Sequence, residues 1–356
     1  MPMKDVLSLF SSTIRAAGDA RRPLQIRAGG TKDFYGQALI GDLLDPCAYA
    51  GIVDYDPGEL VITARCGTRL ADLERVMHER GQMLAFEPPH LGETATVGGA
   101  VAAGLAGPRR QAAGSVRDFV LGARIMDGHG NPLTFGGQVM KNVAGYDVSR
   151  VMAGSMGTLG LILEVSLKVL PLPVAEATLQ FEFPEERTIE LLNQWAARPL
   201  PISATAWRGG DLGVRLSGAR AAVEVAQSKL GGVLIDPIQA TKFWVGIREQ
   251  SDPFFATDLP IWRVSVPSAA AALRIPGDQL IEWGGALRWC ATNADARTIR
   301  DRAAALGGHA TLYRNGDKTV GVFTPLSPAI AKIHRNLKAV FDPHGIFNRG
   351  RMYSDL

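Results

Sequence analysis

Glycine is unevenly distributed along this 356-residue chain, and this feature most constrains the fold. Residues 88–160 contain 15 of the 40 glycines. Each glycine costs conformational entropy on folding, so a dense cluster indicates tight turns or a backbone that a ligand approaches closely. We therefore expect the binding function to lie in the first half of the chain.

The composition is that of an ordinary globular protein. Hydrophobic residues make up 46% and charged residues 21% of the chain, and the net charge is only +3. These values exclude disorder and a coiled coil as the main architecture. No run of basic residues resembles a nucleic-acid arm, so we expect no nucleic-acid partner. The length fits two domains.

Cysteine usage and hydropathy limit the metal and membrane classes. Cys47, Cys66 and Cys290 are far apart, so a cysteine-ligated zinc or iron–sulfur site held by this chain alone is not expected. We predict no metal. An odd, low cysteine count suits a reducing compartment. We see no signal peptide and no apolar run of about 18 residues, so we expect a cytoplasmic protein without a membrane span.

The texture of the sequence changes at residues 171–173, which read Pro-Leu-Pro. Beyond them strands alternate with helices, which is typical of an α+β layer of the ferredoxin-like type. We predict domains at 1–171 and 172–327 and a C-terminal helix and tail at 328–356. The last helix should run from Pro328 to Phe341, with a buried stripe formed by Ile330, Ile333, Leu337 and Val340.

Two segments are candidates for binding a cofactor, although the usual dinucleotide and P-loop fingerprints are missing. Residues 27–32, Arg-Ala-Gly-Gly-Thr-Lys, follow a short strand, and consecutive glycines let backbone amides converge on an anion such as a pyrophosphate. The alternative is an ordinary turn. Residues 88–104 carry mostly small side chains, which suits either a flat cofactor lying on bare backbone or a close helix–sheet contact.

Three further motifs complete the set. Residues 141–147 read Lys-Asn-Val-Ala-Gly-Tyr-Asp, residues 154–160 read Gly-Ser-Met-Gly-Thr-Leu-Gly, and residues 341–348 read Phe-Asp-Pro-His-Gly-Ile-Phe-Asn. Taken singly, Tyr146 could be a core aromatic, Asp147 a helix cap, and the other two segments simple turns. Taken together and in this order, the motifs are specific.

The ordered motifs resemble those of FAD-linked oxidases of the vanillyl-alcohol-oxidase type, also called PCMH-type flavoproteins. The resemblance covers residues 1–171 and returns at 328–348. Within this family, the chain is most similar to the smaller FAD-binding subunits, the E subunits, of bacterial glycolate oxidases. The similarity lies in its short length and in the sequences of residues 141–150 and 152–157. The resemblance implies a two-subdomain PCMH-type FAD-binding domain followed by a smaller ferredoxin-like α+β cap domain.

The resemblance also implies the cofactor site. FAD would be bound noncovalently, since the first loop has no histidine. Residues 27–32 would hold the pyrophosphate, residues 92–99 would run along pyrophosphate and flavin, residues 157–162 would lie near the adenosine half, and Asn348 would approach the flavin ring. The implied FAD-binding residues are Arg27, Ala28, Gly29, Gly30, Thr31, Lys32, Pro89, Gly92, Thr94, Ala95, Thr96, Gly98, Gly99, Gly104, Gly157, Thr158, Gly160, Ile162 and Asn348.

The implied activity is oxidation of glycolate, a small 2-hydroxy acid, to glyoxylate within a complex. Its implied partners are a larger flavin subunit and an iron–sulfur subunit, through which the chain could sit peripherally on the inner membrane. Two alternatives stay open, a stand-alone FAD-dependent 2-hydroxy-acid dehydrogenase and a non-catalytic scaffold. No catalytic residue is assigned; candidates are Arg109, Arg110, Arg314 and Arg349 for the substrate carboxylate and His90 and His344 for a base.

Overall fold

Two antiparallel sheets organise the protein in a computed structural model, which describes residues 2–138 and 147–356. The predicted motif at 141–146, with Tyr146, lies outside the described residues. Both sheets are built from strands with mostly apolar inner faces, and helices cover them. The mixed architecture confirms the predicted α+β class. The predicted division at residues 171 and 327 stays a prediction.

The five-stranded sheet belongs to the first half of the chain. Its central strand, Leu161–Lys168, is almost wholly buried, as its near-continuous apolar sequence requires. Helix Met3–Asp19 packs Val6, Phe10 and Ile14 into the same core, one helical turn apart. In spatial order the strands are Ile52–Asp56, Val61–Arg65, Leu161–Lys168, Val120–Met126 and Pro132–Gly136.

The eight-stranded sheet follows in the second half. One of its faces packs on helices, and the other faces the first half of the chain through an aromatic-rich cluster. This arrangement matches the predicted alternation of strands and helices. In spatial order the strands are Val233–Leu234, Ala175–Glu182, Asp211–Gly218, Ile202–Arg208, Asp278–Glu282, Leu287–Ala291, Ile261–Ser265 and His309–Arg314.

Shorter elements complete the described fold. Two small sheets pair Leu24–Ile26 with Asp42–Leu44 and Gln82–Met83 with Leu170–Pro171. The other α-helices are Leu70–His78, Val97–Ala103, Arg110–Ala113, Val116–Phe119, Glu185–Ala196, Arg220–Leu230, Pro237–Glu249, Ala296–Ala305 and Pro328–Phe341, and 3-10 turns lie at Ser149–Met152, Pro253–Phe255, Trp283–Gly285 and Lys318–Val320. None of the helices in the described ranges has the length and apolar character needed to cross a bilayer.

The last helix begins and ends where predicted, but its predicted buried stripe is wrong. Ile330, Ile333 and Val340 are 44%, 53% and 74% exposed, and only Leu337 of the four packs on the core. The helix instead buries Lys338, whose ammonium group lies 2.8 Å from the Asp342 carboxylate. Lys338 also donates to the carbonyls of Thr158 and Phe347. These polar contacts set the orientation of the helix.

A buried charge cluster joins the two halves. Glu87, from the first half, accepts from the Arg109 backbone amide at 2.8 Å and lies 2.8 Å from the Arg215 guanidinium on the eight-stranded sheet. Arg109 lies 2.5 Å from Glu176 on the neighbouring strand. Burial alone would raise the pKa of Glu87, but Arg215 and Arg109 hold it below its ordinary value. The carboxylate therefore stays charged between the two sheets.

Candidate functional site

A cleft of about 800 Å³ opens where the glycine-rich segments converge. Its walls come from the loop after the first strand, helix Val97–Ala103, the turn before strand Leu161–Lys168 and the C-terminal segment. Of the 19 residues predicted to bind the cofactor, 13 line this cleft. They are Arg27, Ala28, Gly29, Gly30, Thr31, Lys32, Thr96, Gly98, Gly99, Gly157, Gly160, Ile162 and Asn348.

The loop at residues 28–32 presents a row of free backbone donors. Within the described ranges, none of these five amides donates to another backbone or side-chain group of the chain. Two of the loop carbonyls, by contrast, accept hydrogen bonds from side chains. The Gly29 carbonyl accepts from the Thr94 hydroxyl at 2.7 Å, and the Lys32 carbonyl accepts from the Arg351 guanidinium at 3.3 Å. Backbone amides are rarely left without an acceptor, and a row of them suits an anion.

Two glycines allow the walls to approach each other. A Cβ on Gly29 would lie 1.7 Å from the Thr94 carbonyl oxygen. At Gly157 φ is +72°, and a Cβ would lie 2.6 Å from the Asn348 side-chain amide. Side chains at these positions would push the loops apart.

Helix Val97–Ala103 uses its small residues in a close packing contact and in the lining of the cleft. Gly98 makes the close helix–strand contact, since a Cβ there would lie 2.6 Å from the Cβ of Cys66. Gly99, Ala102 and Ala103 line the cleft. The Thr96 hydroxyl caps the helix by accepting from the Gly99 amide at 3.2 Å.

The C-terminal segment closes the cleft. Asn348 accepts from the Ile26 amide and donates to the Met156 carbonyl, both at 2.7 Å, so one side chain joins two of the glycine loops. Arg351 donates to the Asp33 carbonyl at 3.1 Å and also to the Gln37 carbonyl. The guanidinium of Arg351, which also lines the cleft, thus holds the first loop in place.

Lys32 places a cation in the cleft wall. Its ammonium group donates to the His90 carbonyl at 3.1 Å and contacts the Thr31 hydroxyl. Burial lowers the pKa of Lys32 to about 8, although the Glu249 carboxylate acts in the opposite direction. The lysine is therefore charged at neutral pH and close to titrating.

Six predicted residues do not line this cleft. Thr94 borders an adjoining cavity that shares Ala28 and Gly29, and Gly92 borders a third. Thr158 is buried, and its hydroxyl donates to the Ser155 carbonyl. The remaining three are Ala95, Gly104 and Pro89. Ala95 and Pro89 are buried, and the Ala95 carbonyl accepts from the Leu70 amide. Gly104 ends helix Val97–Ala103 with φ of +64°.

The candidate base and carboxylate-binding residues also lie outside the cleft lining. His90 pairs with Glu74 at 2.9 Å, and the His344 ring packs on that of His129. Arg109 belongs to the buried charge cluster. The other three are placed apart from one another: Arg314 stacks on Phe34, Arg349 donates to the Gly345 carbonyl, and Arg110 stacks on Trp283.

Sequence reasoning missed several residues of the cleft. Cys66 and Met156 line it as apolar side chains. Met156 lies inside the predicted motif at residues 154–160, where the glycines carry the signal, whereas nothing in the sequence context of Cys66 distinguishes it from a core residue. Arg351 also lines the cleft. Its contact with the first loop spans 318 residues of sequence, which local patterns do not reveal.

Comparison with known proteins identifies the family. A family model described as an FAD binding domain matches residues 9–136. The chain is 48% identical to glycolate oxidase subunit GlcE of Escherichia coli (strain K12), over 98% of this chain and 97% of that protein. It is 32% identical over 36% of its length to glycolate oxidase subunit GlcD of Bacillus subtilis (strain 168), covering 27% of that protein.

Solved structures agree on the fold. Alkyldihydroxyacetonephosphate synthase aligns with a TM-score of 0.66 and 15% identity, over 95% of this chain and 74% of that one. This alignment and the family model confirm the predicted fold class, and the family model and the similarity to GlcE confirm the FAD cofactor. The chain belongs to the PCMH-type FAD-linked oxidase family, in the group of the glycolate oxidase subunit GlcE.

Proposed function

We propose that this chain is an FAD-binding subunit of a complex that oxidises glycolate, or a closely similar 2-hydroxy acid, to the 2-oxo acid. The observation that carries this proposal is the end-to-end similarity to glycolate oxidase subunit GlcE. The second relative, GlcD, bears the name of another subunit of such an oxidase. We propose the same three-part division at 171 and 327, with residues 1–171 and the tail binding FAD.

The residues of the cleft fit FAD. A pyrophosphate needs several donors in a small space, and the free amides at residues 28–32 and the Lys32 ammonium group supply them. Gly99, Ala102 and Ala103 leave a wall of low relief against which a flat ring system could lie. FAD, when bound, supplies the redox chemistry, and the chain supplies binding and orientation.

We propose that FAD is held noncovalently. A covalent link needs a nucleophilic side chain, and no histidine lines the described cleft. Cys66 does line it, but burial raises the pKa of this thiol to about 12, so it stays protonated and unreactive at neutral pH. Denaturation should therefore release all of the flavin from the polypeptide.

We further propose that electrons leave this subunit for an iron–sulfur partner. The three cysteines support this division of labour, because Cys66 and Cys290 are buried and all three are free thiols far apart in sequence. A peripheral position of the whole complex on a membrane belongs to the same proposal.

The anaerobic visible spectrum of the purified chain, recorded alone and within the co-expressed complex, tests the function. We expect a flavin band in both samples and bleaching by glycolate in the complex. A chain that takes up no FAD would overturn the proposal and leave a scaffold. If the isolated chain bleaches with glycolate, it is a dehydrogenase with its own catalytic site.

FAD affinity should depend on pH through Lys32. Its pKa of about 8 means that the free chain loses this cation as the pH rises, whereas the bound pyrophosphate favours the charged form. From pH 7 to 9 the dissociation constant for FAD should rise by about fivefold. Fluorescence titration of Lys32→Met should give weaker binding and a flat profile.

The exposed Lys332 provides a matched control. Lys332→Met removes the same charge from the surface and should keep the wild-type pH profile. An equal slope in Lys32→Met and in the wild type would show that another group titrates.

A further inference from the structure

A second group of unpaired cations lies outside the cleft, where the eight-stranded sheet faces the first half of the chain. Arg263 on strand Ile261–Ser265 lies 5.2 Å from the ring centre of Trp283. Arg110, from the first half, lies 4.3 Å from the same ring. Two guanidinium groups from different halves of the molecule therefore meet at one indole.

Neither guanidinium has a counter-ion within the described ranges. Among residues 2–138 and 147–356, no carboxylate lies within 4.0 Å of the Arg110 or the Arg263 guanidinium. Neither of these two side chains donates a hydrogen bond to a group in the same ranges. The nearby Glu282 carboxylate instead accepts from the Trp289 indole at 2.7 Å. Burial raises the pKa of Glu282 to about 7, although the charge of Arg263 acts in the opposite direction.

Two positive charges near one indole, both half-buried, raise the free energy of the folded state through desolvation and mutual repulsion. Burial and the charge of Arg263 both lower the pKa of Arg110. Of the fully buried arginines in the described ranges, two have carboxylate partners and two donate to backbone carbonyls; these are Arg109 and Arg215, and Arg288 and Arg351. The Arg110–Arg263 pair differs, and an anion between the two groups would remove the repulsion.

Arg110 and Arg263 are accessible, and the indole they share belongs to the same apolar cluster as one residue of the cofactor cleft. Arg110 and Arg263 are half-buried, and His309, on the same sheet face, is exposed. The apolar cluster that contains Trp283 and Trp289 also contains Met156, which lines the cleft. An anion at the pair would therefore lie on the face of the eight-stranded sheet that packs towards the first half of the chain.

We propose that Arg110 and Arg263 form an anion site over Trp283 that takes the carboxylate of a small 2-hydroxy acid. The identity of the acid rests on the proposed function, whereas the anion site rests on the two unpaired guanidinium groups. A planar carboxylate matches the fork geometry of guanidinium groups. Arg110 is one of the candidates raised by the sequence; Arg263 is new.

Binding of oxalate to the purified full chain, supplemented with FAD, tests the site. Oxalate has the carbon number of glycolate and no C–H bond to oxidise, so binding is measured without turnover by calorimetry and by tryptophan fluorescence. We expect Arg110→Gln and Arg263→Gln each to weaken oxalate binding at least tenfold. Arg263→Lys keeps the charge and should retain part of the affinity. Arg187→Gln, at an exposed ion pair, should bind oxalate as the wild type does.

The FAD content of each variant separates this inference from the proposed function. Normal FAD content with weakened oxalate binding supports the anion site. Wild-type oxalate affinity in both glutamine variants overturns it, whereas inorganic phosphate binding as tightly as oxalate overturns the assignment of the site to a carboxylate. Loss of oxalate binding in Arg263→Gln of a chain that takes up no FAD would support the anion site while the proposed function fails.

Discussion

Gly29→Ala should abolish FAD binding at ordinary cofactor concentrations while the chain still folds. The new Cβ would lie 1.7 Å from the Thr94 carbonyl oxygen, a backbone atom that cannot rotate away. The first loop must therefore move, and its free amides lose their alignment. If two charge-assisted hydrogen bonds are lost, at about 1.5–3 kcal/mol each, the dissociation constant for FAD rises by about 100-fold or more.

Gly137 provides the control for this experiment. A Cβ there would meet nothing within 4 Å, so Gly137→Ala adds the same methyl group without a clash. Fluorescence titration with FAD should give wild-type affinity for Gly137→Ala. If Gly29→Ala also binds FAD normally, the loop at residues 28–32 does not hold the cofactor.

Glu87→Gln should cause the largest loss of stability among single charge changes in this chain. The carboxylate lies 3.3 Å from Arg109 and 2.8 Å from Arg215, and all three side chains are largely buried. Glutamine fills the same space but leaves two buried cations without their shared counter-ion. Removing one partner of a buried charge cluster costs about 3–5 kcal/mol, which denaturant unfolding would measure.

The pH dependence distinguishes this charge effect from a packing defect. The pKa of Glu87 in the folded chain lies below its ordinary value of 4.5. Its contribution should therefore be complete at neutral pH and disappear as the pH falls below 4.5 through the folded-state pKa. Glu190→Gln, at an exposed ion pair with Arg187, should cost less than about 1 kcal/mol. Equal losses in the two variants would contradict the prediction.

The sequence was most informative where backbone chemistry makes the site. Gly29, Gly30 and Gly157 could be found because glycine in a non-repetitive segment indicates a tight turn or a close approach of the backbone to another group. Cys66 could not be found, because an apolar side chain in a cleft wall has the same sequence signature as one in the core. Met156 lies in the motif at residues 154–160, but there the glycines carry the signal.

Long-range polar contacts account for what the sequence mispredicted in the fold. The periodicity of Ile330, Ile333 and Val340 correctly predicts a helix, but periodicity does not state which face is covered. That choice depends on Lys338, whose partners include Thr158, 180 residues away. Local sequence patterns likewise do not reveal the contact between Glu87 and Arg215, which spans 128 residues.

The order in which a ribosome makes the chain differs from the order in which the cleft is assembled. The first loop is made early, yet it is held by Asn348 and Arg351, the latter bonding Asp33 across 318 residues. At synthesis rates of about 5–20 residues per second that separation corresponds to about 15–60 s. During this interval the glycine loops lack their C-terminal support, so cofactor capture should follow translation of the tail.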